Sequence, residues 1–249
     1  MVTSKEIEKM ASMEDEYWWH IGKRYLVNSL IERHFGNKKN LNILDVGCGT
    51  GALAHFLTKF GDVTGFDMSP DAIEFCKHKG LSNVFVQDVS KLEGEKHARK
   101  FNLIVALDVL EHVQDDILVM QKIREMLSDD GLFFVNVPAH KFLWSEHDEA
   151  LEHKRRYHRL ELTKKLNDAG FKIVSNSYFV TVISPLIILY RAWGNIFGKS
   201  AYPKTSYVLL PKMLNDFLVT LLKIETWILL KTFIPFGVTL NVVARKNKV

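Results

Sequence analysis

The densest run of side chains able to move a proton is PAHKFLWSEHDEALEHKRRY, residues 138–157. Together with the next position it sets out His140, His147, His153 and His158 within 19 residues, with Asp148 among them. Imidazole exchanges a proton near neutral pH, so a general base is sought here. His140 and His153 are the candidates, with Asp148 as the orienting carboxylate and Tyr157 as a polar contact. Arg155 and Arg156 carry guanidinium forks that pair with phosphate or carboxylate, which makes them candidate substrate ligands. The same residues also read as solvated histidines beside a polar helix start. The histidine intervals of seven, six and five match no familiar zinc spacing, and no metal ligand is assigned.

A second constellation lies upstream, in NILDVGCGTGALAHFL, residues 42–57. An apolar strand pattern runs into Gly47, Cys48, Gly49 and Gly51, and a helix pattern follows. That order brings backbone close to a ligand and aims amide N–H groups at its negative part. Asp67, 20 residues after Gly47, suits a ribose diol. Asp45, however, stands beside the turn, where a carboxylate would repel a diphosphate in a partly desolvated crevice. A ligand carrying an ammonium removes the conflict. S-adenosylmethionine has one, with a sulfonium, a carboxylate, a ribose for Asp67 and an adenine amino group for Asp88.

The elements that must hold these residues alternate. Strand patterns at NILDV, VTGF, NVFVQDV, FNLIVALDV and GLFFVNV are separated by helix patterns, including SPDAIEFCKHKG with Ser69 as N-cap and Pro70 at its first position. A further helix ending at Gly170, a sixth strand, and VTLNVVARK near the end complete the rhythm. Strands rich in Val, Leu, Ile and Phe, alternating with helices, predict a mostly parallel sheet covered on both faces.

Four segments, ILDVGCGTG, VTGFDMSPDAI, VFVQDV and FNLIVALDVLEHV, occur in the order and approximate spacing of class I S-adenosylmethionine-dependent methyltransferases. They most resemble the branch that includes ubiquinone-biosynthesis-type O-methyltransferases. The resemblance implies an α/β, Rossmann-like, seven-stranded, mostly parallel sheet with an antiparallel last strand. It implies that Gly47, Cys48, Gly49 and Gly51 line the methionine end of the cofactor and that Asp67 takes the ribose hydroxyls. Met68 would pack on the adenine, Asp88 and Val89 would read its edge, and Leu107 and Asp108 would border it. EDEYWWHIGKRYLV and the histidine run resemble a narrower group associated with envelope saccharides or lipids. By that resemblance Arg24 holds the methionine carboxylate, and Tyr17, Trp18 and Trp19 form a lid over the pocket. Where that group has a glycine before His153, this chain has Glu152.

Four segments are expected: residues 1–36 as an N-terminal helical cap, 37–180 as the cofactor-binding core, 181–236 as an apolar helical insertion and 237–249 as the last core strand and tail. The insertion, broken by Pro185, Pro203 and Pro211, carries six basic residues against Asp216 and Glu225, a surplus of +4 equal to the net charge of the whole chain. In PKMLNDFLVTLLKIETWILLK, residues Leu210, Met213, Leu214, Phe217, Leu221, Ile224 and Ile228 recur at helical spacing, opposite Lys212, Asp216, Thr220 and Lys223. Apolar faces flanked by Lys and Arg suit a helix pair lying in the headgroups of an anionic membrane, although the same faces suit burial or a homodimer. No stretch reads as a membrane span or secretory signal, and Cys48 and Cys76 are expected to be free thiols, so a cytoplasmic protein, peripheral at the inner membrane face, is expected. A small or lipid-linked acceptor is expected. A nucleic-acid methyltransferase is a weaker alternative, because the bases cluster with aliphatics instead of interleaving with aromatics. A nicotinamide oxidoreductase is disfavoured by Asp45, and a non-catalytic cofactor-binding scaffold stays open.

Overall fold

The computed structural model describes residues 4–92, 100–197 and 210–247. Pro203, one of the expected breaks, lies outside them. Seven strands form one sheet: β1 (Leu41–Val46), β2 (Gly61–Asp67), β3 (Val84–Val86), β4 (Phe101–Leu107), β5 (Leu127–Pro138), β6 (Phe171–Phe179) and β7 (Thr239–Lys246), in the order β3-β2-β1-β4-β5-β7-β6. The first five pair in parallel, and β7 runs antiparallel between β5 and β6. β5 begins at Leu127, before the expected apolar stretch, because Leu127 already pairs with Phe101 ahead of a bulge.

Alternate strand residues feed two cores. Ile43, Leu103, Val105, Phe134 and Val243 point to one face, where α2 (Trp18–Phe35), α3 (Ala52–Leu57) and α4 (Pro70–His78) pack; α1 (Ser4–Met13) adds Met13 to the same core. Leu44, Val46, Ile104, Phe133 and Val242 point to the other, covered by α5 (Asp116–Met126) and α7 (Arg159–Asp168). The short α6 (Glu146–Ala150) lies between β5 and α7.

Two further helices, α8 (Ser184–Phe197) and α9 (Lys212–Leu229), precede β7. α9 does not pack through the apolar face its sequence suggests. It packs on α2 through Val219, Leu222 and Thr226, and Gly22 of α2 leaves room for Leu222, since a Cβ there would sit 2.2 Å from its Cδ1. α2 is therefore covered by the sheet on one side and by α9 on the other, which explains why its own apolar residues do not form a single stripe. Glu225 is buried and accepts the Thr181 N–H at 2.9 Å, which fixes α9 against the end of β6. Met213, Leu214, Phe217, Ile224 and Ile228, residues of the expected apolar face, are exposed. Among the described residues no helix is long and apolar enough to cross a membrane.

Leu222→Ala removes the side chain that fills the Gly22 notch and is expected to cost about 2–5 kcal/mol of stability. Urea unfolding monitored by tryptophan fluorescence measures it; a cost under about 0.5 kcal/mol would contradict this packing.

Candidate functional site

The carboxyl ends of the parallel strands place Asp45, Asp67, Asp108 and His140 along one edge of the sheet. Asp108 after β4, His140 after β5 and Val180 after β6 all have positive φ, at 55°, 60° and 62°. Non-glycine residues in that region are uncommon and cluster where function over-determines the backbone.

Asp45 is an incompletely satisfied acid on this edge. It is buried, and its Oδ2 has no hydrogen-bond partner among the described residues. Burial, reinforced by the neighbouring Asp67 carboxylate, pushes its pKa up to about 8. Asp67 accepts the Gly49 N–H at 3.0 Å and the Ser69 N–H at 2.9 Å. Those bonds hold its carboxylate in place, while burial moves its pKa upward. A cationic ligand group would satisfy Asp45, and Asp67 keeps acceptor capacity for a diol.

The glycine turn supplies shape and not the free amides expected of it. Gly47 and Cys48 both donate to the Phe66 carbonyl, Gly49 to Asp67 and Gly51 to the Cys48 carbonyl. All three glycines have positive φ, and a Cβ on Gly47 would lie 2.5 Å from Val109 Cγ2, so the tight turn has no room for a side chain there. Cys48 and Cys76 are buried free thiols with sulfurs 3.9 Å apart. On the adenine side Met68 is exposed, and Asp88 accepts from Ser90 N and Oγ, which lowers its pKa. Val89 follows it in a short 3-10 turn.

α1 closes over the glycine turn. Glu14 is buried, accepts the Thr50 hydroxyl at 2.5 Å and pairs with Lys79 at 2.5 Å. Tyr17 and Trp18 are buried beneath the start of α2, with Trp19 edge-on to Trp18. Arg24, expected at the ligand carboxylate, donates through its guanidinium to the Glu14 and Asp15 carbonyls and pairs with the Asp15 carboxylate. Lys23 is the inward cation, paired with Asp108, which follows Leu107 at the end of β4, and lying 4.7 Å from the Trp19 ring centroid.

The histidine run divides. His153 Nδ1 lies 2.9 Å from Asp148 Oδ1, and because a carboxylate only accepts, Nδ1 donates and Nε2 is the nitrogen left for chemistry. Asp148 is buried; burial alone would raise its pKa, but its bonds to His153 and the charges of Arg156 and Arg191 hold it well below the usual carboxylate range. His140 is stacked between Tyr178 and Phe236, at 5.0 and 4.8 Å between ring centroids, and bonded to the Gly237 backbone. Burial lowers its pKa, and its Nε2 has no hydrogen-bond partner among the described residues.

Three expected site residues, two substrate ligands and one polar contact of the catalytic set, are committed elsewhere. Arg156 is buried and forks onto Asp148 through Nε at 2.7 Å and NH2 at 3.0 Å, while NH1 donates to the Ala139 carbonyl. Arg155 is bound to Asp116 and the Gln114 carbonyl. Tyr157 is fully buried, its hydroxyl donating to the Leu110 carbonyl and to Asp116 Oδ2 at 2.7 Å. These residues brace the segment instead of facing a ligand. Glu152 takes φ 53°, the left-handed turn for which glycine is the usual choice, so the loop keeps its course at a local cost in strain.

Sequence reasoning missed Glu111, His112, Lys23 and Arg191. Glu111 and His112 follow β4 in the LEHV segment; Glu111 is fully buried, and among the described residues neither carboxylate oxygen is hydrogen-bonded. An acid beside a histidine after the fourth strand was the available signal.

Residues 18–176 match the family described as Methyltransferase domain, and the chain belongs to that family. The cofactor of this class is S-adenosylmethionine, and the buried, unpartnered Asp45, the ordered Asp67 and the tight glycine turn fit its ammonium, ribose and methionine end. The chain is 30% identical over 151 residues to a ubiquinone biosynthesis O-methyltransferase of Glaesserella parasuis, covering 54% of this chain and 64%, less than two thirds, of that relative. Its fold is similar to that of a plantazolicin methyltransferase solved with S-adenosylhomocysteine, at TM-score 0.62 and 16% identity over 98% of this chain and 90% of that one. It is also similar to a 1,6-didemethyltoxoflavin-N1-methyltransferase of Burkholderia thailandensis, at TM-score 0.57 and 18% identity over 99% and 88% of the two chains. At these identities the two structures share the fold.

Asp45 is protonated in the fold and ionised in the unfolded chain between its usual value near 3.8 and about 8. Its contribution to stability is therefore complete at low pH and lost as pH rises toward about 8, at up to about 1.4 kcal/mol per pH unit. Asp45→Asn should flatten the fall in stability of the cofactor-free protein between pH 5 and 8, measured by chemical unfolding; identical slopes would contradict the assignment. Glu14→Gln should speed release of S-adenosylhomocysteine about five- to tenfold by loosening the closure over the turn. Stopped-flow tryptophan fluorescence checks this; an unchanged rate would place closure elsewhere.

Proposed function

We propose that this chain transfers the methyl group of S-adenosylmethionine to an oxygen of a small or lipid-linked acceptor, at the surface of an anionic membrane. One observation carries the reading. The Asp148 carboxylate that orients His153 also meets Arg191 of α8, at 3.6 Å, and Arg191 donates to the Leu143 carbonyl. The proton-handling histidine and the apolar insertion are thus joined through a single buried group.

The reaction breaks the bond from the methyl carbon to sulfur and forms one to oxygen, with S-adenosylhomocysteine, the methylated acceptor and a proton as products. It needs alignment, exclusion of water and somewhere for the proton to go. In this reading Asp45, Asp67, Met68, Asp88 and Val89 hold the cofactor, Lys23 with Asp108 borders its methionine end, and His153, oriented by Asp148, handles the proton. Arg155, Arg156 and Tyr157 keep that segment rigid, and His140 lines the acceptor side of β5.

The membrane part rests on what α8 and α9 leave uncovered. Leu186, Leu189, Tyr190 and Trp193 of α8 are exposed, as are Met213, Phe217, Ile224 and Trp227 of α9. Lys223 and Lys231 lie over the Tyr25 and Trp227 rings, at 5.6 and 3.6 Å, so cations flank the apolar faces. Such a surface suits the interface between headgroups and acyl chains. An acceptor with a lipid anchor would then meet the site from the membrane side.

Flotation and turnover test both parts. The protein should co-float with vesicles containing anionic lipid at low salt, and Lys223→Glu with Lys231→Glu should weaken that by about tenfold or more. Radiolabel from the cofactor should enter a lipid extract or a soluble metabolite pool and not RNA. Labelled RNA would favour nucleic-acid methylation. No label in any pool, with cofactor still bound, would favour a non-catalytic scaffold, and a dimer that does not float would assign the exposed faces to self-association.

A further inference from the structure

We propose that Glu111, His112 and His153 form a binding site for one divalent transition-metal ion of the zinc class. This rests on the reading above for the ion's role, although not for its existence, and reassigns His153 from proton handling to ligation. The ligand atoms of the three residues all lie within 4.8 Å of one another. Two come from the turn after β4 and the third from the loop after α6, so two separate segments converge on one point.

Each side chain is prepared for a ligand in a different way. Glu111 is fully buried and neither of its oxygens has a hydrogen-bond partner among the described residues. A carboxylate in that position is costly unless a cation or a proton joins it. His153 has Nδ1 committed to Asp148 at 2.9 Å, which leaves Nε2 and reproduces the carboxylate–histidine–metal relay of many metal sites. His112 is hydrogen-bonded to the Leu151 backbone, and its ring stands edge-on to that of His153 with centroids 4.7 Å apart. Both imidazoles therefore have one nitrogen held by the protein and one remaining.

Two imidazoles and a carboxylate suit zinc, iron(II) or cobalt(II); magnesium and calcium prefer oxygen ligands throughout. Tetrahedral coordination at about 2.0–2.2 Å needs ligand atoms about 3.3 Å apart, so side-chain rotation of about an ångström or more closes the site. Three protein ligands leave a fourth position open. Asp108, which acts electrostatically on both Glu111 and His112, stands on the cofactor side. An acceptor hydroxyl in the open position would lose its proton to solvent more easily and meet the methyl group as an alkoxide or phenolate. The ion would then take over the proton handling assigned to His153, whose remaining lone pair it occupies. The histidine run alone could not show this set, because two of its members lie some 40 residues upstream, across the sheet edge.

The test uses the full chain, stripped with chelator and titrated with Zn2+ by calorimetry and with Co2+ by visible absorption. One equivalent of each is expected to bind, with cobalt bands of tetrahedral or five-coordinate intensity and no displacement by millimolar Mg2+. Glu111→Gln, which resembles the protonated acid and keeps its shape, should fold as the parent does by thermal melting and bind either ion about 100-fold more weakly. His112→Ala should do the same. Cobalt bound only with featureless octahedral spectra, or zinc affinity unchanged in Glu111→Gln, would overturn the site. S-adenosylhomocysteine binding measured on the same samples separates the two readings: cofactor bound without metal refutes the ion alone, and metal bound without cofactor refutes the enzyme reading alone.

Discussion

The site turns on one buried carboxylate, whose Oδ2 has no hydrogen-bond partner among the described residues. Asp45 sits at the end of a central strand, walled by the turn that Gly47, Gly49 and Gly51 make possible and faced by a second acid, Asp67. Burial of an unpaired acid is costly, and here it is repeated in the field of another. With its pKa raised to about 8, Asp45 holds a proton at neutral pH, and a cationic ligand group would take that proton's place. A ligand bringing an ammonium would offset both the desolvation and the repulsion.

The rest of the fold serves that edge. Parallel strands deliver their carboxyl ends to one line, and the chain departs from β4, β5 and β6 through residues in strained conformations. α1 packs beside the glycine turn, α2 lies on the sheet and α9 covers α2, so these helices form a layered pack and not a loose flap. Asp148 ties the roof together: it holds His153, accepts both bonds of the Arg156 fork, caps its own helix through Ser145 and touches Arg191 of the insertion. A change in how α8 sits would be felt at His153 through two contacts.

The fold was legible in the sequence because strand and helix periods alternate with capped boundaries, and Ser69 caps α4 through the Ala72 N–H as its position implies. The glycine turn and its acids were legible for the same reason: they are local. The roof was not. Arg155, Arg156 and Tyr157 have the chemistry of ligands, and only tertiary contact with Asp116, Asp148 and the Leu110 carbonyl shows that they are braces. Arg24 and Lys23 are adjacent, and one helical step of about 100° decides which faces the pocket. The apolar face of α9 was legible as a face, but periodicity does not say what covers it, and the contact with α2 runs through Val219, Leu222 and Thr226 instead.

The most direct test is calorimetry of S-adenosylhomocysteine binding at pH 7 in two buffers of different ionisation enthalpy. With Asp45 protonated in the free protein and paired with the ligand ammonium in the complex, binding should release close to one proton, and Asp45→Asn should abolish that release. Binding with no proton released, or the same release from Asp45→Asn, would contradict the account.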